Sequence, residues 1–273
     1  MRHFATESGK SKGQFYTPSE VSRVIARVIG ISPEKARAST TAYDPTCGSD
    51  SLLLKVAAEA GKHITLEGQE KDVTTAGLAR MNMILHDFPT ANILNNNTLT
   101  NPKFKDGERL RTYDYVVANP PFSDKTWSIG LTPSKDPFQR FEWGEPSARQ
   151  GDYAYLLHII RSMKSTGKGA WNLPHGVLFR GHAEAVIREK LVSSGILKGI
   201  IGLPANLSYG GCDPCRRRVV SPVFRRRRSC LAQSAANGFH PSGMGTRSSR
   251  NRLQPATRRQ FPNPEGSQLL AGG

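Results

Sequence analysis

The chain has 273 residues, of which 37% are hydrophobic and 22% are charged, so it is long enough to bury one sizeable core. No apolar run approaches the roughly 18 residues of a membrane span, and no charged-then-apolar segment opens the chain; we therefore expect a soluble, cytoplasmic protein without a membrane partner. Its 38 basic and 22 acidic residues give a formal net charge of +16, which favours an anionic partner such as nucleic acid.

Much of the positive charge lies at the carboxyl end. Residues 210–273 contain 12 Arg, no Lys, one Asp and one Glu, which leaves 26 basic and 20 acidic residues for 1–209. The body of the chain is therefore only mildly basic. Cys212 and Cys215 form a lone C-x-x-C in the tail, with no second pair and with His240 as a poor fourth ligand, so we predict no metal site.

The first predicted helix begins with Thr17 as N-cap and Pro18 at the first helical position, and apolar residues then recur at helical spacing as far as Ile29. A short strand is predicted to end at Asp44, and the helix that follows it stops at Gly61.

The same alternation continues through most of the chain. We predict further strands over residues 64–67, near Ile93, and over 113–118, 171–173 and 197–203, with helices opened by Asp72, capped by Asp152, and over 183–191. Strands that alternate with helices of roughly 10–16 residues indicate a parallel sheet covered by helices. The sequence thus predicts an α/β, Rossmann-like fold.

The most informative motif is Asn119-Pro120-Pro121-Phe122, directly after the apolar strand 113–118. Ligands of open α/β sheets bind beyond the carboxyl ends of the strands. The carbonyls of the Asn119 side chain and the Pro120 backbone can each accept one hydrogen from the exocyclic amine of adenine, which directs the lone pair at a sulfonium methyl group. The prolines stiffen the backbone, and Phe122 offers a face on which an extruded base can stack. We predict all four as catalytic; a plain strand-end turn is the simpler alternative.

A second motif covers residues 44–51, where a loop containing Gly48 leads from a strand into a leucine-rich helix. Such a loop and helix start can receive the carboxylate and amino groups of a cofactor. Glu67 and Glu70 follow about 20 residues later, where an acidic side chain reaches a ribose hydroxyl. One glycine and one acid also fit an ordinary loop, but the order of the motifs favours a cofactor site.

Four segments together resemble the modification (M) subunits of type I restriction systems, which are N6-adenine DNA methyltransferases: residues 13–18, 44–51, 119–122 and 173–179. The resemblance runs from about residue 13 to 209. It implies S-adenosylmethionine as methyl donor and adenine N6 in double-stranded DNA as acceptor. It also implies a separate specificity (S) subunit that selects the target sequence, and a restriction (R) subunit as a further partner.

The resemblance also implies which residues bind the donor. Glu70 would bind its ribose and Asn97 would lie near its adenine. The other donor-binding residues that it implies are Phe15, Tyr16, Thr17, Pro18, Asp44, Thr46 and Gly48.

The chain departs from the family pattern in several places. Asp50 stands where the family usually has glycine; aspartate there can act as a helix N-cap, or cost about 1 kcal/mol if the position needs a positive φ. Trp171 and Asn172 interrupt a strand that should be apolar. Family members also have a large helical domain before the first motif, where only twelve residues stand here.

The family's last strands should follow residue 209, but an arginine-rich segment stands there instead. We therefore predict a catalytic domain over 1–209, a sheet incomplete at its carboxyl-terminal edge, and an irregular tail over 210–273. Abundant Arg without Lys is typical of a GC-rich gene read out of frame, so we hypothesise a frameshift near codon 210. The alternative is a genuine basic tail that binds nucleic acid.

Two other functions stay open. Asn-Pro-Pro-aromatic motifs also serve protein-glutamine and RNA amine methyltransferases. The chain can also be an inactive, truncated remnant that only binds nucleic acid.

Overall fold

The computed structural model describes residues 17–61 and 63–204, and the backbone alone of the strand Arg218–Arg225. All of these lie in the compact unit that spans Met1–Ser229. Phe15 and Tyr16, and the Cys212–Cys215 pair, fall outside the described residues. Within the described part, the helices are too short or too polar to cross a membrane.

The elements alternate as the sequence predicts. Five α-helices and two short 3-10 segments are described: α1 (Ser19–Val28), α2 (Ser51–Ala60), α3 (Val73–Leu85), η1 (Pro133–Lys135), α4 (Asp152–Arg161), η2 (His175–Leu178) and α5 (Ala183–Ser193). The described strands are β1 (Thr41–Asp44), β2 (Thr65–Glu70), β3 (Asn92–Asn95), β4 (Lys105–Asp106), β5 (Arg109–Leu110), β6 (Tyr113–Ala118), β7 (Met163–Pro174), β8 (Ile201–Gly202) and β9 (Arg218–Arg225).

Seven of the described strands form one sheet in the order β3-β2-β1-β6-β7-β9-β8. The first five of these run parallel, and β9 runs antiparallel to both β7 and β8. Strands β4 and β5 form a separate antiparallel pair. The prediction of a mostly parallel, Rossmann-like α/β sheet is confirmed.

Strand β9 corrects the expectation that the chain after residue 209 is irregular and leaves the sheet edge open. It pairs with residues 168–174 of β7, with Trp171 opposite Ser221 and Gly169 opposite Phe224. The register shifts between these two pairs, so one residue of β7, Ala170, lies opposite two residues of β9, one of which is Pro222. A bulge tolerates proline because the ladder is already interrupted there. Because arginines surround it, this short apolar strand is not evident from the composition of residues 210–273.

Hydrophobic clusters cover the sheet on both faces. On one face α1, α2 and α3 pack on alternate strand residues such as Ala42, Val117 and Ala170. On the other, α4 and α5 pack on Tyr43, Trp171 and their neighbours. Because strand side chains alternate between faces, the strands of the parallel core are buried on both sides and only their ends are open to ligands.

Several predicted boundaries move by a few residues. Helix α1 begins at Ser19 with Pro18 as its N-cap, so Thr17 is not the cap. Helix α4 has Gly151 as N-cap, and Asp152 is its first residue. The strand expected over 197–203 is reduced to Ile201–Gly202. The predicted N-cap of α3 is correct, since Asp72 accepts a hydrogen bond from the Thr75 N–H at 2.8 Å.

Candidate active site

Polar side chains stand at the carboxyl ends of four adjacent parallel strands. Asn97 follows β3, Glu70 ends β2, Asp44 ends β1 and Asn119 follows β6. These strands are neighbours in the sheet in that order. The topology therefore brings the predicted donor-binding and catalytic residues to one edge, although they are up to 75 positions apart in the chain.

The loop after β1 is folded back on the strand end. Asp44 is buried, and its Oδ1 accepts a hydrogen bond from the Thr46 N–H at 2.9 Å. Burial raises the pKa of the Asp44 carboxyl well above its usual range, although that hydrogen bond opposes the shift. Gly48 has a φ of 55°, a conformation that suits glycine, and its N–H points back to the next strand.

Glu70 connects this loop to the start of α3. Its Oε2 accepts from the Gly48 N–H at 3.0 Å, and its Oε1 accepts from the Asp72 N–H at 2.9 Å. Desolvation raises the pKa of Glu70, and the backbone donors lower it in part. Each carboxylate oxygen has a further lone pair, so Glu70 can still accept hydrogen bonds from a hydroxyl ligand. Glu67, by contrast, faces the core and accepts from Tyr113 and Arg111.

The turn that starts at Asn97 is held in place from the protein interior. Its Oδ1 accepts from the Leu99 N–H at 2.9 Å. Beneath the turn, Arg140 donates to the Leu99 carbonyl at 2.8 Å and forms a buried ion pair with Asp136. The same guanidinium lies beside His158, and burial followed by this charge lowers the pKa of His158 well below its usual value.

Asn119 is held at both ends of its carboxamide. Its Nδ2 donates to Thr17 Oγ1 at 3.1 Å, and its Oδ1 accepts from Asn172 Nδ2 at 2.9 Å. Pro120 is buried, whereas Pro121 and Phe122 are partly exposed. The predicted catalytic motif is thus in direct contact with the segment before α1, which the family resemblance assigns to the donor.

A second group fixes the backbone just after the Asn-Pro-Pro-Phe motif. Ser123 has a φ of 51°, and its N–H donates to Asp152 Oδ1 at 2.8 Å. The other oxygen of the fully buried Asp152 accepts from Arg180 at 2.5 Å. Sequence reasoning missed this group, because Asp152 resembled a helix cap. The available signal was Arg180, which directly follows the family motif over residues 173–179.

Asp50 does not act as the side-chain N-cap that the sequence suggested. It has a φ of 65°, makes no side-chain cap hydrogen bond and is fully buried. Neither carboxyl oxygen has a hydrogen-bond partner among the described residues; the neighbouring Cys47 thiol lies close enough to lower the Asp50 pKa but forms no bond of normal geometry. Desolvation dominates and raises the pKa of Asp50 to about 8.

The parallel sheet, with acidic and amide side chains at its carboxyl edge, defines the Rossmann-like fold of class I S-adenosylmethionine-dependent methyltransferases. A structure of such a methyltransferase from Listeria monocytogenes shares this fold, with a TM-score of 0.61 at 17% identity over 82% of this chain and 64% of that one. The N-6 DNA Methylase family matches residues 1–215, and the chain belongs to that family.

Several relatives of the chain are named as methylase subunits of type I restriction enzymes. The methylase subunit of the type I restriction enzyme MpnII from Mycoplasma pneumoniae is 35% identical over 217 residues, covering 75% of this chain and 39% of the relative. The crystal structure of a type I methyltransferase subunit from Streptococcus thermophilus superposes with a TM-score of 0.73 at 34% identity, covering 84% of this chain and 48% of that one. The chain thus spans about two-fifths of the length of the curated relatives that it matches.

Proposed function

We propose that this chain transfers a methyl group from S-adenosylmethionine to the N6 amine of adenine in double-stranded DNA, as the modification subunit of a type I restriction system. The observation that carries the proposal is the position of Asn119-Pro120-Pro121-Phe122 at the end of β6, beside the strand ends of Asp44 and Glu70. Membership of the N-6 DNA Methylase family supports the same reaction.

The strand-end residues fit the methyl donor. Glu70 keeps acceptor capacity for the ribose hydroxyls beyond its two backbone hydrogen bonds. Asn97 is partly exposed on the next strand end, where the donor's adenine would lie. The loop from Asp44 through Thr46 and Gly48, with the start of α2 behind it, would hold the amino acid part. When bound, S-adenosylmethionine supplies an electrophilic methyl group.

The acceptor residues activate a weak nucleophile. The lone pair of the adenine amine is delocalised into the ring, so the amine needs polarising before it can attack. The second lone pair of Asn119 Oδ1 and the carbonyl of Pro120 each accept one amine hydrogen, and the adjacent prolines keep those acceptors in place before the reaction. Phe122, partly exposed, stacks on the extruded base and offsets part of the cost of flipping.

Target selection requires a partner in this proposal. The relatives are named as methylase subunits of type I restriction enzymes, and a structural neighbour at 24% identity comes from a study of type I complex assembly. We propose that a specificity subunit supplies the sequence-reading surface, and that a restriction subunit joins the same complex. Phosphate contacts alone would give this chain salt-dependent binding with little sequence preference.

The test uses Asn119→Ala in the full chain, assayed with a type I specificity subunit and unmethylated DNA. N6-methyladenine, measured by mass spectrometry, should fall below detection, while S-adenosylmethionine affinity measured by calorimetry stays within about twofold of wild type. Asn92→Ala, an exposed position on β3, is the matched control and should keep full activity. Equal loss of donor binding and of methylation in Asn119→Ala would place the reaction elsewhere.

The same assay separates the alternatives. Methylation of RNA or of a glutamine-containing peptide in preference to DNA would favour the other amine and amide methyltransferases. A wild-type chain that binds DNA but not the donor would favour an inactive remnant.

A further inference from the structure

Asn172 occupies an unusual position in β7. Ala118 on β6 is in register with Trp171 on β7, so the next residues along the two parallel strands, Asn119 and Asn172, stand side by side. Asn172 is fully buried, and its Nδ2 donates to Asn119 Oδ1 at 2.9 Å. A residue of the strand interior therefore contacts the catalytic carboxamide directly.

Packing alone would favour an apolar side chain at position 172 over an amide. Its neighbours in β7, Ala170, Trp171 and Leu173, are buried in the two hydrophobic clusters. Among the described residues, nothing donates to the buried Asn172 Oδ1. A buried carbonyl without a donor destabilises a fold, whereas an apolar β-branched side chain in the same strand would carry no such cost. The polar side chain is thus better explained by its contact with Asn119 than by stability.

The contact restrains rotation of the Asn119 carboxamide. The amide oxygen and nitrogen are nearly equal in size, so rotation by half a turn exchanges an acceptor for a donor. Thr17 Oγ1 can accept or donate, so it stabilises either orientation. In the structure the Asn172 Nδ2 donates to the oxygen of Asn119, so Asn172 and Thr17 together restrain the carboxamide at both ends. One lone pair of this oxygen is left for the substrate amine.

We infer that Asn172 is a positioning residue that holds the carboxamide of Asn119 in place, with one lone pair of its oxygen left to accept a hydrogen from the substrate amine. This inference rests on the proposed function, because it deepens the account of the same site. Asn172 has no contact with the substrate in this account; it acts through Asn119. Preorganised acceptors contribute to catalysis because they need no rearrangement during the reaction.

The first test replaces Asn172 with valine in the full chain. We expect the single-turnover methylation rate of Asn172→Val to fall about tenfold or more, since the Asn119 carboxamide can then rotate. Donor affinity should stay within about twofold, and the Tm should be equal to or above that of wild type because the buried carbonyl is removed. Ile25→Val, a buried change in α1, is the packing control and should leave the rate unchanged. An unchanged or higher rate in Asn172→Val would overturn the inference.

The second test does not require activity. The side-chain amide NMR signals of Asn119, assigned by their loss in Asn119→Ala, should exchange slowly with solvent in wild type and faster, with shifted positions, in Asn172→Val. Unaltered signals would refute the positioning role whether or not the chain methylates DNA. Conversely, a wild-type chain with the expected signals but without adenine methylation would contradict the proposed function and leave the Asn172–Asn119 contact established.

Discussion

The Gly48 N–H donates to the Oε2 of Glu70 over 3.0 Å, and this bond joins the loop after β1 to the end of β2. The two residues are 22 positions apart and belong to different motifs of the sequence. Because Glu70 also accepts from the Asp72 N–H, one side chain determines both the loop conformation and the start of α3. The proposed donor site is therefore preformed around a single carboxylate.

Replacing Glu70 with glutamine should weaken donor binding. The amide has one oxygen instead of two, so one of its two backbone donors loses its acceptor and faces an NH2 group. A lost hydrogen bond to a charged group costs about 1.5–3 kcal/mol, or roughly ten- to a hundredfold in affinity. Calorimetry with S-adenosylmethionine measures this loss. Glu59→Gln alters a carboxylate of α2 that pairs with Arg27 in the described part of the chain, and it should bind like wild type; equal affinities for all three proteins would remove Glu70 from the site.

Asp50→Gly should stabilise the protein. Glycine adopts a φ of 65° without strain and removes a fully buried carboxyl group whose oxygens make no hydrogen bond within the described part of the chain. Together these effects should raise the free energy of unfolding by about 1–3 kcal/mol. Urea denaturation measures the change. A decrease in stability would mean that the carboxyl group makes a favourable contact.

The contribution of Asp50 should also depend on pH. Its pKa in the folded protein, about 8, lies above that of an unfolded aspartate, so the folded state retains its proton while the unfolded state loses it. Stability from this group is present below about pH 4 and is lost as pH rises towards about 8. The free energy of unfolding of Asp50→Asn, relative to that of wild type, should therefore increase with pH over that interval and become constant above it. A difference in unfolding free energy that does not vary with pH would show that Asp50 is ionised in the fold.

Asp152→Asn should weaken the support beneath the catalytic motif. The isosteric amide can still accept from Ser123, but it removes the buried charge that pairs with Arg180 and leaves that guanidinium to Glu184. Breaking such a pair costs about 3–5 kcal/mol when both partners are buried, and somewhat less here because Arg180 is partly exposed and keeps its ion pair with Glu184. Thermal unfolding and the methylation rate should both decrease. Asp106→Asn, at an exposed ion pair with Arg111, should change stability by less than about 1 kcal/mol; a similar small effect in Asp152→Asn would contradict the argument.

The frameshift hypothesis makes a genomic prediction. Translating the gene in its other two frames after codon 209 should yield a Gly-Ile-Pro-like turn followed by an apolar strand. Strand β9 counts against the frameshift hypothesis, since residues 218–225 already pair with β7. If neither frame contains such a strand, the tail is native, and its 12 arginines should make DNA binding by the full chain steeply dependent on salt.

The parts of the site that follow from chain order were predictable. Hydrophobic runs identify strands and parallel strands share a carboxyl edge, which predicts Asp44, Glu70 and Asn119 at one edge. Asn97 was predicted only from the family resemblance. The contacts between side chains were not predictable. Asn172 and Asn119 are 53 positions apart, and their bond depends on the register of β6 and β7, which no local pattern specifies.

The predictions for Asp50 and for residues 218–225 were wrong for a similar reason. The side chain of Asp50 favours a cap in isolation, but the tight loop at the end of β1 turns it into the core. Strand β9 was hidden because arginine composition outweighed a short apolar stretch containing a proline. Local propensity is overridden in both places by the packing of distant strands.

The order of the strands has a consequence for biosynthesis. Strand β1 lies between β2 and β6, and Thr41 bonds to Asp114, which leaves the ribosome 73 residues later. The carboxamide of Asn119 can likewise be held at both ends only after Asn172 has been synthesised. Contacts so distant in sequence form late and slowly, after the loop-closure entropy has been overcome. The nascent chain therefore completes this edge of the sheet only after β7 has been synthesised.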